Sequence, residues 1–191
     1  MTQQEIKEHL AKTIQTDLQD VETFFDLAEA KSVKKNEYIT AQGDHHVPFI
    51  LVKTGCLMTY HTDRNGDIHV LQFGTDMWWT GDLEAFFKDT HSIYAVKAVM
   101  DSEVYLLSKK NFEELLKRSP AMERYYRILF QNALVSHQKR IMRNISYTAE
   151  ERFKAFKETF PKLELLVAQR YIASYLGITP EFLSKMKRKM K

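Results

Sequence analysis

The sequence predicts an α+β fold: helices leading into a small antiparallel β-barrel or sandwich, then one long helix, then an all-helical C-terminal unit. Three observations predict it. Short apolar runs broken by turn signals fill residues 32–107, helix-period apolar residues bracket them, and residues 169–191 read as two short helices around a single glycine. With 191 residues, 44% of them apolar, and twelve Phe and nine Tyr, the chain has material for a substantial core. The implied units are residues 1–118, 119–147 and 148–191.

Residues 3–30 carry Ile6, Leu10, Ile14, Leu18, Val21, Phe24, Phe25 and Leu27 at helical spacing. Gln42-Gly43-Asp44 is a turn, and the apolar run 48–52 ends at Lys53-Thr54-Gly55. Segments 57–62 and 68–73 flank Asp63-Arg64-Asn65-Gly66-Asp67, whose Asn-Gly pair is the strongest short hairpin signal. Residues 92–100 alternate as a strand, and Asp101-Ser102-Glu103 turns into a strand over 104–107. Ser108 caps a short helix bearing Phe112, Leu115 and Leu116.

Ser119-Pro120 opens the long helix, and no breaker follows before about Ile145, a span on the order of 40 Å. Between Tyr125 and Val135 it is apolar nearly all round, with Tyr126, Ile128, Leu129, Phe130, Ala133 and Leu134 between them. Such a helix needs cover on more than one side. Its own barrel supplies one side and a second copy the other, so helix 120–146 is expected to form a homodimer. Another amphipathic helix over 148–160 ends at Pro161.

Residues 171–176 form the first helix of the closing pair, burying Ile172 and Leu176, with small Ala173 permitting a close crossing. Gly177 takes the left-handed conformation that ends a helix sharply, Ile178 plugs the turn, Thr179 caps the next helix and Pro180 occupies its first position. Leu183, Met186 and Met190 make an inward stripe. The opposite face carries Pro180, Glu181, Ser184, Lys185 and Arg188, the arrangement by which a helix-turn-helix offers its second helix to a major groove. Charge points the same way. Residues 148–191 hold ten Lys and Arg against five acids, while residues 1–147 hold eighteen against twenty, and five of the last seven residues are basic. Double-stranded DNA is therefore the expected partner. The sequence ends just after this helix, so no wing is expected, and backbone grip falls to Arg170, Lys187, Arg188, Lys189 and Lys191.

Other classes fare worse. A single cysteine, Cys56, excludes an internal disulfide and a cysteine-ligated iron–sulfur cluster, and suits a reducing cytoplasm. No apolar run approaches membrane-spanning length. No Gly-x-Ser-x-Gly, phosphate loop or His-Glu-x-x-His is present, so an enzyme is not expected. A cupin-like metal barrel needs imidazoles converging on one ion. His45 and His46 are adjacent and on a strand would face opposite ways, while His61 and His69 would meet across the hairpin without an evident third ligand. No cofactor or metal is expected.

Helical lead-in, barrel, long helix and C-terminal helix-turn-helix together resemble the Crp/Fnr regulators over almost the whole chain. The likeness is strongest in Tyr-Ile-Ala-Ser-Tyr-Leu-Gly-Ile-Thr-Pro-Glu-Phe-Leu-Ser-Lys, and visible in Gly55 and Gly81-Asp82-Leu83. It implies a cyclic-nucleotide-binding-type β-roll, a homodimer and a two-fold-related DNA site, with Glu181 and Lys185 on base edges. Lys185 stands where the family often has Arg, which loses bidentate geometry. The effector cassette departs from the pattern. Cyclic-nucleotide binders have Arg-Ser/Thr-Ala about ten residues after Gly-Glu-Leu, and here Ser92-Ile93-Tyr94 fills that place. Without the arginine a cyclic phosphate loses a charge-assisted pair, and Glu84 beside Asp82 repels it. Cyclic AMP is not the expected ligand. The candidate pocket for some other small-molecule effector comprises Trp78, Trp79, Gly81, Asp82, Leu83, Glu84, Ser92 and Tyr94.

Overall fold

The computed structural model describes residues 1–189; Met190 and Lys191, named above for the inward stripe and the backbone grip, lie outside the described residues. Helix α1 (Gln3–Ile14) starts on a Thr2–Glu5 capping box, and a 3-10 turn (Leu18–Val21) leads into α2 (Glu22–Leu27). Two four-stranded antiparallel sheets follow. One orders β1 (Glu29–Val33), β8 (Ser102–Leu107), β3 (Phe49–Thr54) and β6 (Trp79–Thr80); the other orders β2 (Tyr38–Thr40), β7 (Ala95–Ala98), β4 (Leu57–Thr62) and β5 (Ile68–Gly74). Helix α3 (Leu83–Lys88) interrupts the strands, α4 (Lys109–Arg118) begins on Ser108, and α5 (Pro120–Ser146) begins on Ser119 with Pro at its start. The chain closes with α6 (Ala149–Thr159), α7 (Leu163–Leu166), α8 (Gln169–Leu176) and α9 (Pro180–Lys189).

Alternation along β3 explains the layering. Ile50 and Val52 face between the sheets with Val33, Leu57, Val96, Ala98 and Val104. Phe49 and Leu51 face outward, into a second core with Ile6, Leu10, Phe24, Trp79, Leu107, Leu115 and Tyr126. Both faces are covered, so the run is apolar without interruption. On the other sheet, Met58, Tyr60, Val70 and Phe73 turn outward and share a third core with Phe153, Phe156, Phe160, Ile172, Leu176, Leu183 and Met186. The C-terminal helices are thereby packed on the barrel.

Several boundaries differ from the sequence reading. Residues 29–33 are a strand although only Val33 is buried, so the polar run hides β1 from a periodicity argument. The predicted strand 92–100 contracts to Ala95–Ala98, because Ser92 Oγ accepts from Tyr94 N at 3.2 Å and turns the chain before Ala95. The predicted first helix of the closing pair starts two residues earlier, at Gln169. Helix α7 was not foreseen. The long helix does carry cover on one side: Tyr125 and Tyr126 are buried, and Ile128, Leu129 and Phe130 pack against the same core. Leu129 thus faces its own barrel. Beyond Phe130 its outer side is uncovered, with Leu134, Val135, Ile141, Met142 and Ile145 exposed, while Arg140 on the other side still reaches the barrel.

Candidate nucleic-acid interface and effector cleft

The helix pair closes as its sequence requires. Gly177 sits at φ 67°, ψ 37°, and its N–H reaches back to the carbonyls of Ala173 and Ser174. Ile178 N–H bonds Ala173 O at 3.0 Å, the second bond of a left-handed helix stop. Thr179 Oγ1 accepts from Phe182 N at 3.2 Å and so caps α9. Ile172, Ala173, Leu176, Leu183 and Met186 are buried. Pro180, Glu181, Ser184, Lys185, Arg188 and Lys189 are exposed along one side of α9, and Arg170 is exposed at the start of α8, its guanidinium over the Tyr171 ring. Lys187 is placed differently. Its ammonium pairs with Glu164 of α7 at 2.5 Å and lies half-buried, so α7 and α9 are tied together by the cation expected at the phosphates.

Helix α8 docks on β5. Ser174 Oγ donates to Ile68 O at 2.6 Å and accepts from Val70 N at 2.9 Å, satisfying an otherwise open strand. Arg140 of α5 completes the junction. It donates to the carbonyls of Leu71, Val70 and Tyr175 and stacks 4.2 Å from the Tyr175 ring centroid. Burial pulls its guanidinium below the ordinary arginine range. One side chain thus joins long helix, barrel and the closing helix pair. Nothing in the polar stretch His-Gln-Lys-Arg singles it out.

The eight residues expected to line one effector pocket are divided. Trp78, Trp79, Gly81 and Leu83 line a cleft of about 380 Å³ against α5, whose far wall includes Leu129, Phe130, His137, Arg140 and Arg143. Within it, Trp78 leans on Phe160, whereas Trp79 is mostly core and donates its indole N–H to Tyr125 Oη at 2.9 Å. Asp82 is buried and lines neither this cleft nor the one beside His61. Its carboxylate caps α3 through Ala85 N and accepts from Ser92 Oγ and Ile93 N, each at 3.0 Å. Ser92 is held in that arrangement. Glu84 turns outward and pairs with Lys88 at 2.9 Å. Tyr94 lies beside His61 in a neighbouring cleft, its phenol raised above the usual range by burial and by the Asp82 and Glu84 charges.

His61 and His69 are register partners, as the hairpin predicts, with ring centroids 6.5 Å apart. Each is already engaged, His61 Nδ1 at the Ile93 carbonyl and His69 Nε2 at Asp63. His45 and His46 contradict the strand geometry assumed for them. They lie in a bend outside any strand, with rings only 4.1 Å apart.

Comparison with known proteins fits this architecture. Residues 30–119 match the cyclic nucleotide-binding domain family. The electron transport regulator A of Shewanella oneidensis is 24% identical over 170 residues, covering 82% of this chain, and the chain spans 66% of that relative's length. The c-di-GMP-responsive global regulator CLP of Xanthomonas campestris superposes with a TM-score of 0.74 at 13% identity, covering 91% of both chains. A protein of Eubacterium rectale assigned to the Crp/Fnr regulators gives 0.68 at 18% identity, covering 92% of this chain and 83% of its own. Among the described residues no helix is long and apolar enough to cross a membrane. The chain therefore shares the fold of these structures, and its residues 30–119 match the cyclic nucleotide-binding domain family.

Proposed function

We propose that this chain is a cytoplasmic, homodimeric transcription regulator rather than an enzyme, and that it binds double-stranded DNA through α9. The observation that carries the reading is the exposed face of α9. Glu181, Ser184, Lys185, Arg188 and Lys189 stand clear on a helix anchored from behind by Leu183 and Met186. A carboxylate suits cytosine N4 and an ammonium suits guanine O6 or N7, so Glu181 and Lys185 read bases. Arg170, Arg188 and Lys189 grip phosphates, while Lys187, paired with Glu164, contributes less. Dimerisation is supported by the apolar stripe that α5 leaves uncovered. Half-sites then lie about one helical turn, roughly 34 Å, apart. The relatives whose names mark them as regulators support the same class.

The test is fluorescence anisotropy on a duplex selected from random sequence, beside an unrelated duplex. Lys185→Ala should weaken the selected site about tenfold or more and the unrelated one far less. Lys189→Ala should weaken both alike and flatten the salt dependence by about one unit of slope. Absence of salt-dependent duplex binding would remove DNA as the partner. Equal losses from the two variants would remove Lys185 from base reading.

In this reading the barrel does not take cyclic AMP. The groups a cyclic phosphate would need at Ser92 and Ile93 are already held by the Asp82 carboxylate, and no arginine stands in the cassette. An effector of another class takes the 380 Å³ cleft, whose aromatic wall and Arg140, Arg143 and His137 suit an apolar body with an anionic end. Millimolar cyclic AMP or cyclic GMP should leave the melting temperature unchanged, since only a ligand of the native state raises it. A dose-dependent rise would show that the lost arginine is compensated.

A further inference from the structure

Three of the seven histidines gather in one place, and none of them lines the cleft beside α5. The bend 44–46 meets the end of α3, and both meeting points have left-handed backbones: His46 at φ 54° and Asp89 at φ 57°. These turns bring one nitrogen from each of His45 and His46 and one oxygen of Asp89 within 4.8 Å of one another. His46 Nδ1 is 3.0 Å from Asp89 Oδ1, while His45 Nε2 is 3.9 Å from the same oxygen and hydrogen-bonded to the Asp89 carbonyl at 3.0 Å, a bond that an ion would replace. Donors about 2.0–2.1 Å from a tetrahedral ion stand roughly 3.3 Å apart, which these separations bracket. The His91 ring lies 5.0 Å from His45, and its Nδ1 engages the Gly43 carbonyl at 2.9 Å.

We propose that His45, His46 and Asp89 form a binding site for a divalent transition-metal ion of the zinc class. Two imidazoles and a carboxylate are the donor set such an ion prefers, and solvent completes its coordination because all three residues are exposed. The loop is set before the ion arrives. Gly43 N donates to Ser92 O at 2.7 Å, Ser92 N donates to Asp44 O at 2.8 Å, and Asp44 Oδ2 accepts from Ala41 N at 2.7 Å. Through Ser92, whose hydroxyl donates to Asp82, an ion here bears on the effector cassette. It clamps the 41–46 loop to the end of α3 and gives the barrel an input separate from the cleft.

Equilibrium dialysis of the untagged full chain against zinc chloride tests this. One ion should bind per chain, and His46→Gln and Asp89→Asn should each lower affinity at least tenfold. His69→Gln, which removes a ring from the other histidine pair, should leave affinity unchanged. Because the altered side chains are exposed, the metal-free variants should melt with the parent, which separates loss of a ligand from loss of fold. Failure to bind one equivalent overturns the site. So does affinity indifferent to His46→Gln and Asp89→Asn, or affinity lost with His69→Gln.

Discussion

Leu134→Asp combined with Ile141→Asp is expected to halve the sedimenting mass, from about twice 22.5 kDa to 22.5 kDa, and to weaken DNA binding about 100-fold or more. Positions 134, 138, 141 and 145 recur at intervals of four, three and four, the seam spacing of a two-stranded coiled coil. They are occupied by Leu, Gln, Ile and Ile. Leu134 is 61% exposed, Ile141 57% and Ile145 75%, an unusual display for residues of this kind on one helix. Val135 and Met142 flank the seam seven residues apart. Neither substituted side chain belongs to the barrel core, so the variant should keep its fold and lose only its partner. Leu129→Asp is a poorer probe, because Leu129 packs against its own barrel and the charge would unsettle the monomer. A double variant that stays dimeric by sedimentation would remove α5 as the seam.

The second large effect is on stability. Gly55→Ala should lower the melting temperature by on the order of 10 °C. Gly55 has φ +103°, and an added Cβ would sit 2.3 Å from Ser102 Oγ and 2.8 Å from both Asp101 O and Ser102 Cα. Ser102 has little room to retreat. Its hydroxyl donates to Met100 O at 2.8 Å and accepts from Cys56 N at 3.1 Å. The main chain must give instead, where β3 turns into β4. Backbone strain of about 1–3 kcal/mol joined to that clash comes to about 3 kcal/mol. A chain of this size loses about 2–4 °C per kcal/mol. Gly66→Ala is the control: φ is +86°, but nothing lies within 4 Å of the added carbon. It should lose only the strain part. Equal melting points for the two variants would defeat the steric account, whatever the glycine contributes to the family resemblance.

Wherever a signal was local, it could be read from the residues. Asn65-Gly66 marked the β4–β5 hairpin, Ser108, Ser119 and Thr148 marked three helix starts, and Gly177-Ile178-Thr179-Pro180 marked the closing turn, because each acts through bonds to neighbours within five residues. The buried stripe of α9 followed from spacing alone. Strand β1 escaped, since four of its five side chains meet solvent or lie half-buried and leave no alternation to detect.

What the sequence by itself determined was the order of elements, the closing helix pair and the face that α9 offers, together with the absence of the cassette arginine. Only the tertiary structure decided which residues meet. It turned Asp82 inward onto Ser92 and Ile93, left only five of the eight expected pocket residues lining two separate clefts, tied Lys187 to Glu164, made Arg140 the joint of three elements, and brought His45 and His46 to Asp89. The physical reason is range. Caps, turns and periodicity are settled by bonds a few residues long. Where a buried or half-buried polar side chain ends up is settled by the nearest unsatisfied partner in space, tens of residues away along the chain.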